Sequence, residues 1–149
     1  MWILYALVMT TVIISADGSV GSKNQVGTKG RVSVKNCGVE NAIGYYYRQE
    51  PSVIPEKFSS VCRKARWNPE SMWDQLTDGK CPWFLKDDGN GAYIYYNRGD
   101  GKWWIDGIDG LGLYTASVRV EDLDVGPPNS GWTALNDEYL PLPTLSLEN

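Results

Sequence analysis

Short apolar and aromatic runs, rarely longer than six residues and separated by Gly, Asp, Asn or Pro, make up most of this chain. That rhythm predicts strands joined by tight turns rather than helices. Arg31 to Lys35 alternates, with Val32 and Val34 on one face. Ile43 to Arg48 is a second strand, and its consecutive Tyr45, Tyr46 and Tyr47 must place rings on both faces. Pro51 and Pro55 break the chain before Lys57 to Ala65, in which Phe58, Ser60 and Cys62 share one face. Further on, Cys81 to Lys86, Ala92 to Asn97, Lys102 to Ile105 and Leu111 to Val118 read as four successive strands. The glycines between them supply the positive φ that hairpin turns require.

One segment carries helical signals. Across Asn68 to Lys80, Asn68 suits the N-cap, Pro69 the first helical position and Glu70 the positive end of the dipole. Met72 and Leu76 stand four apart with Trp73 beside them, and Gly79 suits the C′ position. Two or three turns do not persist alone, so this helix must pack on the sheet. The fold expected is mainly β: an antiparallel meander of about five to seven strands with one short helix, two-layer or barrel-like. The β-rich domain is placed at residues 31–135, between a polar, Gly-rich arm over residues 19–30 and an extended, Pro-punctuated tail over residues 136–149. Trp132 is the strong anchor of the segment after Val125.

The N-terminus reads as an address. Trp2 to Ala16 is an uncharged, mostly apolar run the length of a signal-peptide core, and Ala16-Asp17-Gly18 offers small residues for cleavage before Ser19. About 15 residues fall short of the roughly 20 that span a bilayer. Residues 1–18 are therefore expected to be a signal peptide and the protein to be secreted. A membrane enters only if the segment is retained as an anchor.

Composition then narrows the chemistry. The 149 residues fit one domain, and the net charge of −4 gives no field that would favour nucleic acid. No His is present, which removes the commonest general base and metal ligand. Three cysteines, Cys37, Cys62 and Cys81, form no CxxC pair. In an oxidising compartment, Cys62 and Cys81 are expected to pair across the helix, closing a loop of roughly twenty residues worth ~3 kcal/mol. Cys37 is then left over, as a buried thiol or in an intermolecular bridge, and burial is favoured.

Seven Trp and nine Tyr against two Phe point to binding more than to catalysis, because Tyr and Trp pair an apolar body with a polar handle. Along the third and fourth aromatic strands, Tyr93 and Tyr95 oppose Ile94 and Tyr96, and Trp104 opposes Trp103 and Ile105. Trp103 is read as core. The second face is either covered by the tail, Trp132 and the Tyr45–Tyr47 segment, or left as an exposed platform of Tyr93, Tyr95 and Trp104. Such a platform suits stacking on sugar rings or anchoring a protein.

Two lesser motifs sit in the turns. Arg98-Gly99-Asp100 spells an adhesion tripeptide at a hairpin tip. Asp87, Asp88 and Asn90, or Asp106 and Asp109, could gather calcium, although neither set has EF-hand spacing; no cofactor is otherwise expected. Asp is also favoured in turns for its own backbone bonds.

The strings PWF, GAYIYYN, DGKWWIDG, DGLGLY and PPNSGW, spread over Pro82 to Leu135, resemble a small module found in secreted proteins of marine unicellular eukaryotes and some invertebrates. The resemblance implies a secreted β-module and carries over no functional residues. The reading favoured is a non-catalytic recognition or extracellular-matrix module that binds a glycan or protein through an aromatic face. The alternative is a structural subunit of an extracellular or membrane-associated assembly. A small Asp/Glu-dependent hydrolase comes third.

Overall fold

A computed structural model describes residues 30–148 other than 78 and 90. The expected signal peptide and residues 19–29 of the arm lie outside the described residues. Eight strands form a single antiparallel sheet: β1 Arg31–Lys35, β2 Gly44–Gln49, β3 Trp83–Lys86, β4 Tyr93–Asn97, β5 Lys102–Asp106, β6 Gly112–Ser117, β7 Trp132–Ala134 and β8 Thr144–Glu148. Their order is β7-β6-β5-β4-β3-β2-β1-β8, a meander curled into a half-barrel. β8 leaves the sequential order and pairs with β1, Arg31 opposite Glu148 and Val34 opposite Leu145.

Alternation along each strand sends one set of side chains into the curl. Val32, Val34, Tyr46, Phe84, Ile94, Tyr96, Trp103, Ile105, Tyr114, Ala116, Trp132 and Leu145 come from all eight strands and form one apolar cluster. A cluster fed by every strand must lie on the concave side. Burying it is the main source of stability, at about 25 cal/mol per Å² of apolar surface removed from water.

A second cluster occupies the outer face. Trp83, Tyr93 and Tyr95 pack there against Phe58 and Cys62 of α1 (Glu56–Ala65) and Trp73 and Leu76 of α2 (Pro69–Leu76). α2 follows the expected cap: Asn68 Oδ1 accepts from the Ser71 N–H at 2.8 Å, with Pro69 next. It stops earlier than expected. The N–H and Oγ1 of Thr77 both donate to the Trp73 carbonyl, at 2.9 and 3.0 Å, so Gly79 is not the stop.

α1 was not expected. Phe58 and Cys62 do share a face, but at the helical spacing of four, and Ser59 rather than Ser60 is buried with them. The helix ends on Arg66 in the left-handed region (φ 61°), where the Trp67 N–H reaches the Cys62 carbonyl at 2.9 Å.

The approach to β8 is tied to the start of the sheet. Gly38 N–H donates to the Pro141 carbonyl at 2.9 Å, and the Tyr114 hydroxyl donates to the Tyr139 carbonyl at 2.6 Å. A Cβ on Gly38 would lie 2.1 Å from the Leu140 carbonyl oxygen, so no larger residue fits. Among the described residues, no helix is long and apolar enough to cross a membrane.

Candidate functional site

The expected face assignment holds, but the expected platform does not. Tyr93, Tyr95 and Trp104 all point to the outer face, opposite Trp103 and Ile105. Tyr93 and Tyr95 are nevertheless buried, because α1 and α2 cover them. Trp73 sits 5.7 Å from the Tyr95 ring and 4.7 Å from Phe58, and Trp83 stands edge-on to Tyr93 at 6.3 Å. Centroid separations of 4.5–7 Å are those of favourable ring contacts. Trp104 alone is half-buried at the rim, its Nε1–H donating to Asp100 Oδ2 at 2.9 Å. The expected helix α2 and the unexpected helix α1 close the platform together.

The Arg98-Gly99-Asp100 loop is engaged within the fold. Arg98 donates through Nε to the Gln75 carbonyl at 3.1 Å and through Nη2 to the Asp74 carbonyl at 2.8 Å. These are orphan carbonyls at the negative end of α2, where a cation is favoured. Gly99 N–H bonds Asn97 Oδ1, and Asp100 accepts from Lys102 N–H as well as from Trp104. The loop ties the β4–β5 hairpin to α2.

No disulfide joins Cys62 to Cys81. Cys62 belongs to the outer cluster, whereas Cys81 packs against the concave cluster, with Sγ 4.0 Å from the Leu123 carbonyl oxygen. The sheet separates them, a placement that loop length could not reveal. Burial pushes the Cys62 thiol up to about 11. Cys37 is buried as expected, donating to the Val39 carbonyl at 3.2 Å.

Two of the turn carboxylates are engaged as well. Asp88 pairs with the buried Lys86, and Asp109 Oδ1 accepts the Leu111 N–H at 3.0 Å. Asn90 lies outside the described residues. Among the described residues no group of three acidic, Cys or His side chains could hold a metal ion. Asp106 differs from the rest. It is buried on the outer face, its Oδ2 accepting the Tyr93 hydroxyl at 2.8 Å while Oδ1 has no partner among the described residues.

On the outer face of β2, β1 and β8, beyond the helices, Ser33 is buried but the two flanking tyrosines of β2 stay accessible among the described residues. Tyr45 and Tyr47 stand two residues apart on β2, 38% and 36% exposed, while Tyr46 between them is fully buried. The Arg31 guanidinium lies 4.2 Å above the Tyr45 ring centroid. Its Nε and Nη2 reach Glu148 Oε2 at 2.7 and 2.6 Å. Register places Tyr47, Arg31 and Glu148 in one row and Tyr45, Ser33 and Ser146 in the next. Two rings, a fixed cation and a fixed anion therefore share one open surface. Three consecutive tyrosines had signalled rings on both faces; which pair stays open depended on where the helices sit.

No family model, curated protein or solved structure matches this chain. The site has to be judged on its own geometry.

A groove of about 420 Å³ opens elsewhere, lined mostly by Val118, Val125, Pro127 and Pro128, with Arg119 and Asp122 at its polar side. Arg119 Nε donates to Asp122 Oδ2 at 3.0 Å, so the two charges largely answer each other.

Proposed function

We propose that this protein is a secreted, non-catalytic recognition module that binds a glycan across the outward row of Tyr45, Tyr47 and Arg31. The observation that carries the reading is the pair of half-exposed tyrosines left uncovered beside a held Arg31–Glu148 pair. Tyrosine faces take the C–H faces of sugar rings, and their hydroxyls stay in water. Guanidinium N–H and carboxylate oxygens suit sugar hydroxyls as donors and acceptors. Because Arg31 and Glu148 cancel each other, the surface favours neutral sugars over polyanions. In this reading the turn aspartates serve the fold, and secretion follows from the apolar run at Trp2 to Ala16.

The test is a glycan array on the folded protein, followed by calorimetry with Tyr45→Ala and Tyr47→Ala. Each variant should weaken binding at least tenfold, about 1.4 kcal/mol or more, while melting within a few degrees of wild type. Glycan binding untouched by both substitutions refutes this site. A protein ligand competing at the same tyrosines, with no sugar bound, refutes the glycan and keeps the surface.

A further inference from the structure

Asp106 has a feature that neither the turn chemistry nor the proposed glycan surface uses. Its carboxyl is almost completely buried at a register shift between Ile105 and Asp106, and one of its two oxygens is unpartnered among the described residues. A buried carboxylate with a bare oxygen is costly, and a neutral carboxyl there costs much less. The residue is linked to the helix layer through its neighbours. Its bonded partner Tyr93 belongs to the cluster with Phe58 and Cys62 of α1. The turn that follows Asp106 packs on the same helix: a Cβ on Gly110 would lie 2.8 Å from Val61 Cγ2 and 3.2 Å from the Lys57 carbonyl oxygen.

We propose that Asp106 is a proton-operated clasp between sheet and helices, closing α1 and α2 more tightly in acid and loosening them towards neutral pH. Loosening uncovers the ring wall of Tyr93, Tyr95, Trp73 and Trp83. The proposal is independent of the glycan reading.

The groups around Asp106 leave its charge unanswered. From β4 it faces Tyr93, with Tyr95 beyond, and from its own turn Asp109, whose negative charge opposes ionisation. α1 contributes Cys62 on the Tyr93 side and Lys57, whose stem lies against Gly91. On β6 the register partner is Gly112, which brings no charge. Desolvation pushes the Asp106 carboxyl up to about 7, against the lowering effect of the Tyr93 hydrogen bond. Once the helices lift and water enters, its pKa returns to roughly 3.9.

The sign follows from proton counting. Between about pH 4 and 7 the closed form holds a proton that the open form has lost, so closure weakens as pH rises. Each pH unit in that window raises the opening equilibrium about tenfold, and above about 7 both forms are ionised and the dependence stops.

Hydrogen exchange of the full chain at pH 5, 6, 7 and 8, corrected for intrinsic rates, tests the clasp. Peptides from α1 and α2 should open about tenfold more per unit from pH 5 to 7 and level off by pH 8, while β1 and β2 keep their protection. Asp106→Asn, neutral at every pH, should remove the slope. Tyr93→Phe, which deletes the one hydrogen bond favouring the ionised form, should move the plateau to higher pH. A flat wild-type profile overturns the proposal, as does a slope that survives in Asp106→Asn. Equal slopes in the helices and in β1–β2 overturn it too, since Asp106 would then act on the whole fold.

Discussion

Replacing Trp103 and Trp104 in turn probes both faces of one strand. Trp103 is fully buried in the concave cluster, with the rings of Tyr96 and Phe84 at 5.9 and 6.3 Å. Truncating such a ring to Ala costs about 3–5 kcal/mol, from lost burial and from the cavity left behind. One effect works the other way. Trp103 Nε1 is buried without a partner among the described residues, so deleting it returns roughly 1 kcal/mol of desolvation penalty. The net expectation for Trp103→Ala is about 2–4 kcal/mol. Trp104 is half-buried against the helix-side cluster and makes a single bond to Asp100. Losing that bond at an accessible position costs about 0.5–1 kcal/mol, and losing half a ring of contact costs a similar amount. Trp104→Ala should therefore cost about 1–2 kcal/mol. Urea unfolding followed by far-UV circular dichroism gives both values, with equal m-values confirming that the unfolded states are comparable. Against the 5–15 kcal/mol of an ordinary domain, the first variant is near the edge and the second is not. Equal costs would refute the asymmetry, and a costlier Trp104 variant would mean the strand faces the other way.

Two further outcomes follow from the packing. Gly38→Ala should lower the melting temperature by several degrees and expose the Pro141 end of the tail to proteolysis, because its Cβ would overlap the Leu140 carbonyl; an unchanged melt would contradict that approach. Non-reducing peptide mapping should find no Cys62–Cys81 cystine, since the sheet stands between the two sulfurs; finding one would mean that the helices pack elsewhere.

The strands from Arg31 to Ser117 were legible because alternation and Gly-Asp turns are local signals, and the opposition of Trp103 and Trp104 came with them. α2 was legible from Asn68 and Pro69. α1 was not, because a narrow stripe of Phe58 and Cys62 among serines and basic residues fits period two as well as 3.6. That single miss reversed the site. Without α1, Tyr93 and Tyr95 were left either as an open platform or under the tail, Trp132 and the Tyr45–Tyr47 segment. β7 and β8 were hidden for other reasons: β7 has only three residues, and β8 owes its state to a partner more than a hundred positions away, as in the Arg31–Glu148 bond at a separation of 117. The Tyr93–Asp106 bond depends on a cross-strand register that no local pattern specifies.

The pairing of β1 with β8 also governs how the fold can be reached. During synthesis β1 leaves the ribosome first among the described strands and can gain β2 once residues 36–49 have followed it. Its other edge lacks its partner until Thr144 to Glu148 have been made, so the nascent sheet carries an open strand edge while all the intervening strands are synthesised. Closing so long a loop is entropically slow, which places β8 docking late and makes it the step at which a crowded, half-finished chain is most prone to pair with a neighbour instead.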